Sequence, residues 1–183
     1  MRYYLALTLI LLSCSIAHAE TGALSGHSMT LSPGHGLVWT GKEWSTQRPV
    51  YCAPLNEEDY HNLEMCQYLQ TYLVSDGMTV KAVRCMDMSY GDHPTGNPWW
   101  KMASVYWLEK QGYPESVYSS LTHDPAVGSG EHEGNDDVRA RPLASDYDKT
   151  DIFVSIHTNG LNGDCTAGDC PTGTCTYYDA GRS

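Results

Sequence analysis

The chain has 183 residues, with 11 Lys and Arg against 22 Asp and Glu, a formal charge of −11, and a mean hydropathy of −0.40. That length suits one domain with a real core, and thirteen Tyr and five Trp beside only 18% charged residues exclude a disordered chain. The acidic balance, with no basic run to neutralise phosphates, argues against a nucleic-acid-binding protein.

Residues 1–19 have the three parts of a secretory signal: Arg2, the apolar stretch Leu5 to Leu12, and the small-x-small site Ala17-His18-Ala19. They predict export to the periplasm or beyond. The stretch is shorter than the roughly 20 residues a spanning helix needs, so no transmembrane segment is expected in the mature chain. Leu12-Ser13-Cys14 offers an alternative, a lipoprotein site that would leave Cys14 acylated. A Ser- and Gly-containing linker, residues 20–28, leads into one domain over 29–183.

Met29 to Ser32 reads as a strand running into Pro33-Gly34-His35-Gly36, where two glycines allow a sharp turn around an imidazole. Trp39 to Pro54 carries little periodicity and reads as loop. From Asn56 the pattern is helical: Asn56 can cap, Glu57, Glu58 and Asp59 load the first turn with acid, and Leu63, Cys66, Leu69 and Leu73 recur every three or four residues until Gly77. Met78 to Val83 is β-prone, so strand, helix, strand is the local unit, with a parallel crossover as its natural assembly.

Tyr90 to Pro98 reads as loop and Trp99 to Gln111 as a second helix, with Trp100, Ala103, Trp107 and Leu108 available for packing. The excursion from Asp87 to Asp136 could line a substrate groove through Trp99, Trp100 and Tyr113, or merely cover the sheet. Ser119 to Asp136 reads as a long exposed loop in which Glu131 and Glu133, flanking His132, are solvated. A third helix is expected from Asp137 to about Lys149 despite Pro142. Asp151 to His157 is a nearly continuous apolar run ending on histidine, the pattern of a buried central parallel strand. Thr158 to Gly173 reads as a Gly/Cys loop and Thr174 to Tyr178 as one further strand. The fold class expected is α/β, with a mostly parallel sheet flanked by helices.

Six cysteines lie outside the signal, at Cys52, Cys66, Cys85, Cys165, Cys170 and Cys175. In an exported protein they predict one to three disulfides. A zinc site from Cys165, Cys170 and Cys175 is the alternative, although their spacing lacks a tight Cys-x2-Cys knuckle.

Two histidines, His35 and His157, thus end two predicted strands, and an acidic cluster opens the intervening helix. In a parallel sheet all three lie at one edge, where open α/β sheets bind their ligands. Two neutral imidazoles and a carboxylate suit catalytic zinc, with the fourth tetrahedral position left to water. His27, His93, His123 and His132 read as surface residues, and His61 as a supporting or surface residue.

Thr30-Leu31-Ser32-Pro33-Gly34-His35-Gly36 resembles the opening motif of the zinc-dependent N-acetylmuramoyl-L-alanine amidases of amidase type 3, which cleave peptidoglycan. Glu58 to Leu63 with Tyr68-Leu69, Tyr72-Leu73, Gly77, Val80 and Arg84 looks like that family's glutamate-led helix and second strand. Arg141 fits the arginine that precedes its third motif, and Ser155-Ile156-His157-Thr158-Asn159 matches its Ser-x-His-x-Asn signature. The resemblance covers about Met29 to Asn159. It implies His35, Glu58 and His157 as ligands of Zn2+, with Glu57 the competing choice at the second position. It implies a monomeric hydrolase that cuts the amide between N-acetylmuramic acid and L-alanine in peptidoglycan or muropeptides. The family's general base, a glutamate on a late strand, has no match here and is expected beyond Ser183, which would make 29–183 an incomplete catalytic domain. Two other functions fit the same residues: a non-catalytic module binding cell-wall glycopeptide, and a zinc hydrolase acting on another amide or peptide.

Overall fold

A computed structural model describes residues 22–47, 58–120 and 132–157, the side chains of 58–60 and 132 excepted. Strand β1, Ser28–Pro33, is almost wholly buried. Its pleat sends Met29 and Leu31 to one face and Thr30 and Ser32 to the other. On the first face lies α1, Glu58–Ser75, whose Cys66, Leu69 and Leu73 join Met29, Leu31 and Met78 in one cluster. Asp76 at its end accepts from the Leu24 amide (2.9 Å), so α1 runs antiparallel to β1 and starts at the strand's carboxyl edge.

Strand β4, Thr79–Ala82, pairs with β1 in parallel (Ser28 opposite Thr79), and β5, Ile152–Ile156, pairs in parallel on the other side (Met29 opposite Ile152). The order β4-β1-β5 places β1 centrally. The opposite face is covered by α4, His132–Asp148, with α2, Ser104–Lys110, and α3, Glu115–Tyr118, packed against it. Ala140 and Ala144 are fully buried beside Val83, Ala103, Val105, Leu108 and Val117, small residues that let α4 come close. The expected α/β fold, a parallel sheet between helices, is therefore present. No described helix is long and apolar enough to cross a membrane.

Several elements differ from the sequence expectation. A hairpin of β2, Leu37–Trp39, and β3, Trp44–Thr46, runs into the segment read as loop from Trp39, with Trp39 opposite Trp44 and their rings 5.6 Å apart. Strands of three residues are too short to display a period. The helix expected over Trp99 to Gln111 is split: a 3-10 turn spans Trp99–Lys101, and Met102 is extended because Ala103 donates its amide to the Leu37 carbonyl (3.1 Å). Trp99 and Trp100 are buried, which makes them packing residues.

Helix α4 begins five residues before Asp137, inside the expected loop. Glu133 there is half-buried and accepts from the Trp39 amide (2.8 Å) and the Tyr106 hydroxyl, so it is not simply solvated. Strand β5 is not central among the described residues: Ile152 and Phe153 are exposed. His123, Glu131, Cys52, Cys165, Cys170, Cys175 and the Thr174 to Tyr178 strand lie outside the described residues, as do the signal and Cys14.

Cys66 and Cys85 are free, buried thiols in separate clusters, which caps the disulfides available to the other four cysteines at two. Burial pushes the Cys66 thiol up to about 12, so it stays protonated and unreactive at neutral pH.

His93, expected at the surface, is half-buried among the rings of Trp44, Trp99 and Tyr106 (centroids 5.7, 4.8 and 5.6 Å). Desolvation holds its imidazole below the ordinary 6.5, with Glu109 partly opposing. The unfolded chain then takes up this proton more readily than the folded one. Stability from His93 is complete above pH 6.5 and falls as the pH drops through and below that value. Urea unfolding at pH 7.5 and 5.0 is expected to show a smaller loss of stability in His93→Gln than in the wild type, and equal losses would refute this role.

Candidate functional site

The β1–β5 ladder continues one residue past β1, with the Gly34 amide donating to the Ile156 carbonyl (2.8 Å). There the chain must turn at once toward β2. His35 takes the left-handed conformation (φ 61°), unusual for a residue with a Cβ, and Gly36 follows at φ 119°. A Cβ on Gly36 would lie 2.7 Å from the Ala103 Cα, so only glycine passes here. The turn is fastened from below by Arg84, fully buried, whose guanidinium donates to the carbonyls of Gly34 (2.9 Å), Trp100 (2.9 Å) and Met102 (3.0 Å).

This strained turn brings His35, 6% exposed, against His157 at the end of β5. Their rings meet edge to face with centroids 4.8 Å apart, and His35 Nε2 lies 3.2 Å from His157 Nδ1. His157 Nε2 faces Arg141 Nη1 (3.3 Å) and Ser155 Oγ (3.0 Å). His35 Nδ1 faces Gln47 Oε1 (3.3 Å), and Gln47 Nε2 donates to Asp137 Oδ2 (2.7 Å). Asp137, fully buried, also accepts from the Ser104 amide (2.6 Å) and from Arg141 one helical turn on.

These contacts fix proton positions. A guanidinium only donates, so His157 Nε2 accepts from Arg141 and the proton of the neutral ring is on Nδ1. That proton points at His35 Nε2, which accepts, leaving the His35 proton on Nδ1 to donate to Gln47. The circuit closes because Arg141 and Gln47 both donate to Asp137.

The structure therefore brings together His35, His157 and Arg141 of the residues singled out from sequence. Glu58 is the first residue of α1 at the same sheet edge, and its side chain lies outside the described residues, as does all of Glu57. Position 62 shares a helix face with position 58. Asn62 is fully buried there with both amide atoms unpartnered. His61 is half-buried and His27 exposed. Among the described residues, no group of three His, Cys, Asp or Glu side chains is arranged to hold a metal. Sequence reasoning missed Gln47 and Asp137, for which the only available signal was two adjacent acids, Asp136 and Asp137, in a segment otherwise read as a helix start.

Comparison of the chain with protein-family profiles, curated proteins and solved structures gives no match.

Proposed function

We propose that this protein is an exported zinc hydrolase of peptidoglycan, cleaving the amide between N-acetylmuramic acid and L-alanine. The observation that carries the reading is the approach of His35 Nε2 and His157 Nδ1 to 3.2 Å at the carboxyl edge of a parallel sheet. Two nitrogens each about 2.0–2.1 Å from one tetrahedral ion lie about 3.3 Å apart, so this donor pair fits zinc. The unpartnered Asn62 amide and the start of α1 mark the same edge as polar, and Glu58 is the residue there of the right chemistry for a third ligand.

Zinc held by these residues would polarise the scissile carbonyl and acidify a water. The chain's own groups prepare for it unequally. His35 already has Nε2 free of a proton in the assignment above. His157 has to carry its proton on Nε2 instead of Nδ1, and Ser155 Oγ at 3.0 Å is placed to accept it. Arg141 then turns wholly to Asp137, which keeps its charge compensated. The matching motifs include no counterpart of the family's general base, so metal binding and hydrolysis are separate questions.

The test is zinc titration of the purified protein with muropeptide digestion followed by mass spectrometry. One zinc per chain, lost in His35→Ala and His157→Ala, with release of peptide stems, is the expected result. Zinc with muropeptide binding but no release would point to the non-catalytic module, and zinc with release from a different amide to another substrate. No zinc uptake overturns the reading altogether.

A further inference from the structure

We propose that Gln47 and Asp137 are positioning residues for His35, forming a carboxylate, amide and imidazole relay that keeps the ring proton on Nδ1 and turns the Nε2 lone pair toward His157. The effect on zinc rests on the reading above, whereas the tautomer assignment does not.

The relay starts from Asp137, which cannot swing away. It is fully buried, with Oδ1 taking the Ser104 amide at 2.6 Å and Oδ2 taking Arg141. A carboxylate only accepts, so it selects the NH2 end of the Gln47 amide, at 2.7 Å. The reverse orientation would set the Gln47 carbonyl oxygen against a carboxylate oxygen at the same distance. With its amide thus fixed, Gln47 presents Oε1 to His35 Nδ1 at 3.3 Å. That oxygen cannot donate, so the ring must.

The charge of Asp137 therefore reaches the imidazole through one side chain. The two partners come from separate elements, Gln47 from just past β3 and Asp137 from α4, and they bond to each other beside His35. For its own burial, Asp137 already has Arg141 and the Ser104 amide. The bond to Gln47 is additional, and what it adds is direction. Outer partners of this kind typically govern metal affinity by 10–100-fold when removed.

The experiment uses the full protein, uniformly 15N-labelled and metal-free, with long-range proton–nitrogen correlations to read the His35 tautomer, followed by zinc titration. The wild type is expected to show His35 protonated on Nδ1. Gln47→Met, which keeps the length of a half-buried side chain and removes the acceptor, is expected to weaken that preference, leaving the contact with His157 to maintain it, and to weaken zinc about 10–100-fold. Its circular dichroism should be unchanged. Asp137→Asn should shift the tautomer in the same direction. It carries the risk of unfolding, so the wild-type tautomer is the reading that depends on no variant.

His35 protonated on Nε2 in the metal-free wild type overturns the relay, whatever the zinc result. So does a Gln47→Met protein with tautomer and zinc affinity both unchanged. A wild type that takes up no zinc, yet whose His35 tautomer moves with Gln47→Met, overturns the zinc reading and leaves the relay standing.

Discussion

Arg84→Met is expected to destabilise the protein by roughly 3–9 kcal/mol, from about 1–3 kcal/mol for each of three buried acceptors left without its donor. Three carbonyls depend on this guanidinium, those of Gly34, Trp100 and Met102, and Arg84 has no solvent exposure through which water could replace it. Methionine fills much of the vacated volume, so lost hydrogen bonds account for most of the cost. A domain of this size has only about 5–15 kcal/mol in total, and the variant should sit near the edge of folding. Urea or thermal unfolding measures it. Arg84→Lys should fall between the two, because one compact ammonium cannot meet three carbonyls spread along a planar fork. A loss below about 1 kcal/mol in Arg84→Met would show that the carbonyls find other partners.

The same contacts tie the excursion after β4 to the site. Arg84 holds the Gly34 carbonyl, on the turn that carries His35, together with the two carbonyls of the 3-10 turn and its exit. Unfastening it should loosen His35 as well as the core. This gives the buried Trp99 and Trp100 segment an indirect part in the site, in place of the aromatic groove wall that its composition suggested.

What the sequence disclosed about the site follows from how parallel sheets work. Strand direction and strand ends suffice to put His35 and His157 at one edge, the first read from a short strand that runs into Pro33-Gly34-His35-Gly36 and the second from an apolar run that stops at a histidine. Arg141 came with the resemblance. Gln47 and Asp137 could not be found this way, because their role exists only once the β2–β3 hairpin and α4 have packed on the same side of the sheet. Nothing in Thr46-Gln47 or in Asp136-Asp137 carries a local signature of that meeting. Glu133 was misjudged for the same reason: a Gly-rich neighbourhood suggests solvent, but α4 starts there and turns this carboxylate onto Trp39 and Tyr106. Strand β5 shows the converse error, where an apolar run implied cover that the described residues do not supply at Ile152 and Phe153.

Gly34→Ala should separate the histidine pair while leaving most of the fold intact. A Cβ at this position would stand 2.5 Å from His157 Nδ1, 2.7 Å from its Cε1 and 2.8 Å from the Ile156 carbonyl oxygen. All three are far inside ordinary contact, so something has to yield. The Ile156 oxygen is tethered by its bond from the Gly34 amide. The imidazole is a side chain at an exposed strand end and can rotate. His157 is therefore expected to swing away from His35, at a stability cost of about 1–3 kcal/mol typical of overpacking. Zinc affinity should fall by at least the 10–100-fold that accompanies a misdirected ligand. Zinc titration beside thermal unfolding separates the two effects. A variant that melts a few degrees lower and binds zinc as tightly as the wild type would mean that Ile156 moves instead, and that the 3.2 Å approach of the two rings is not what holds the ion.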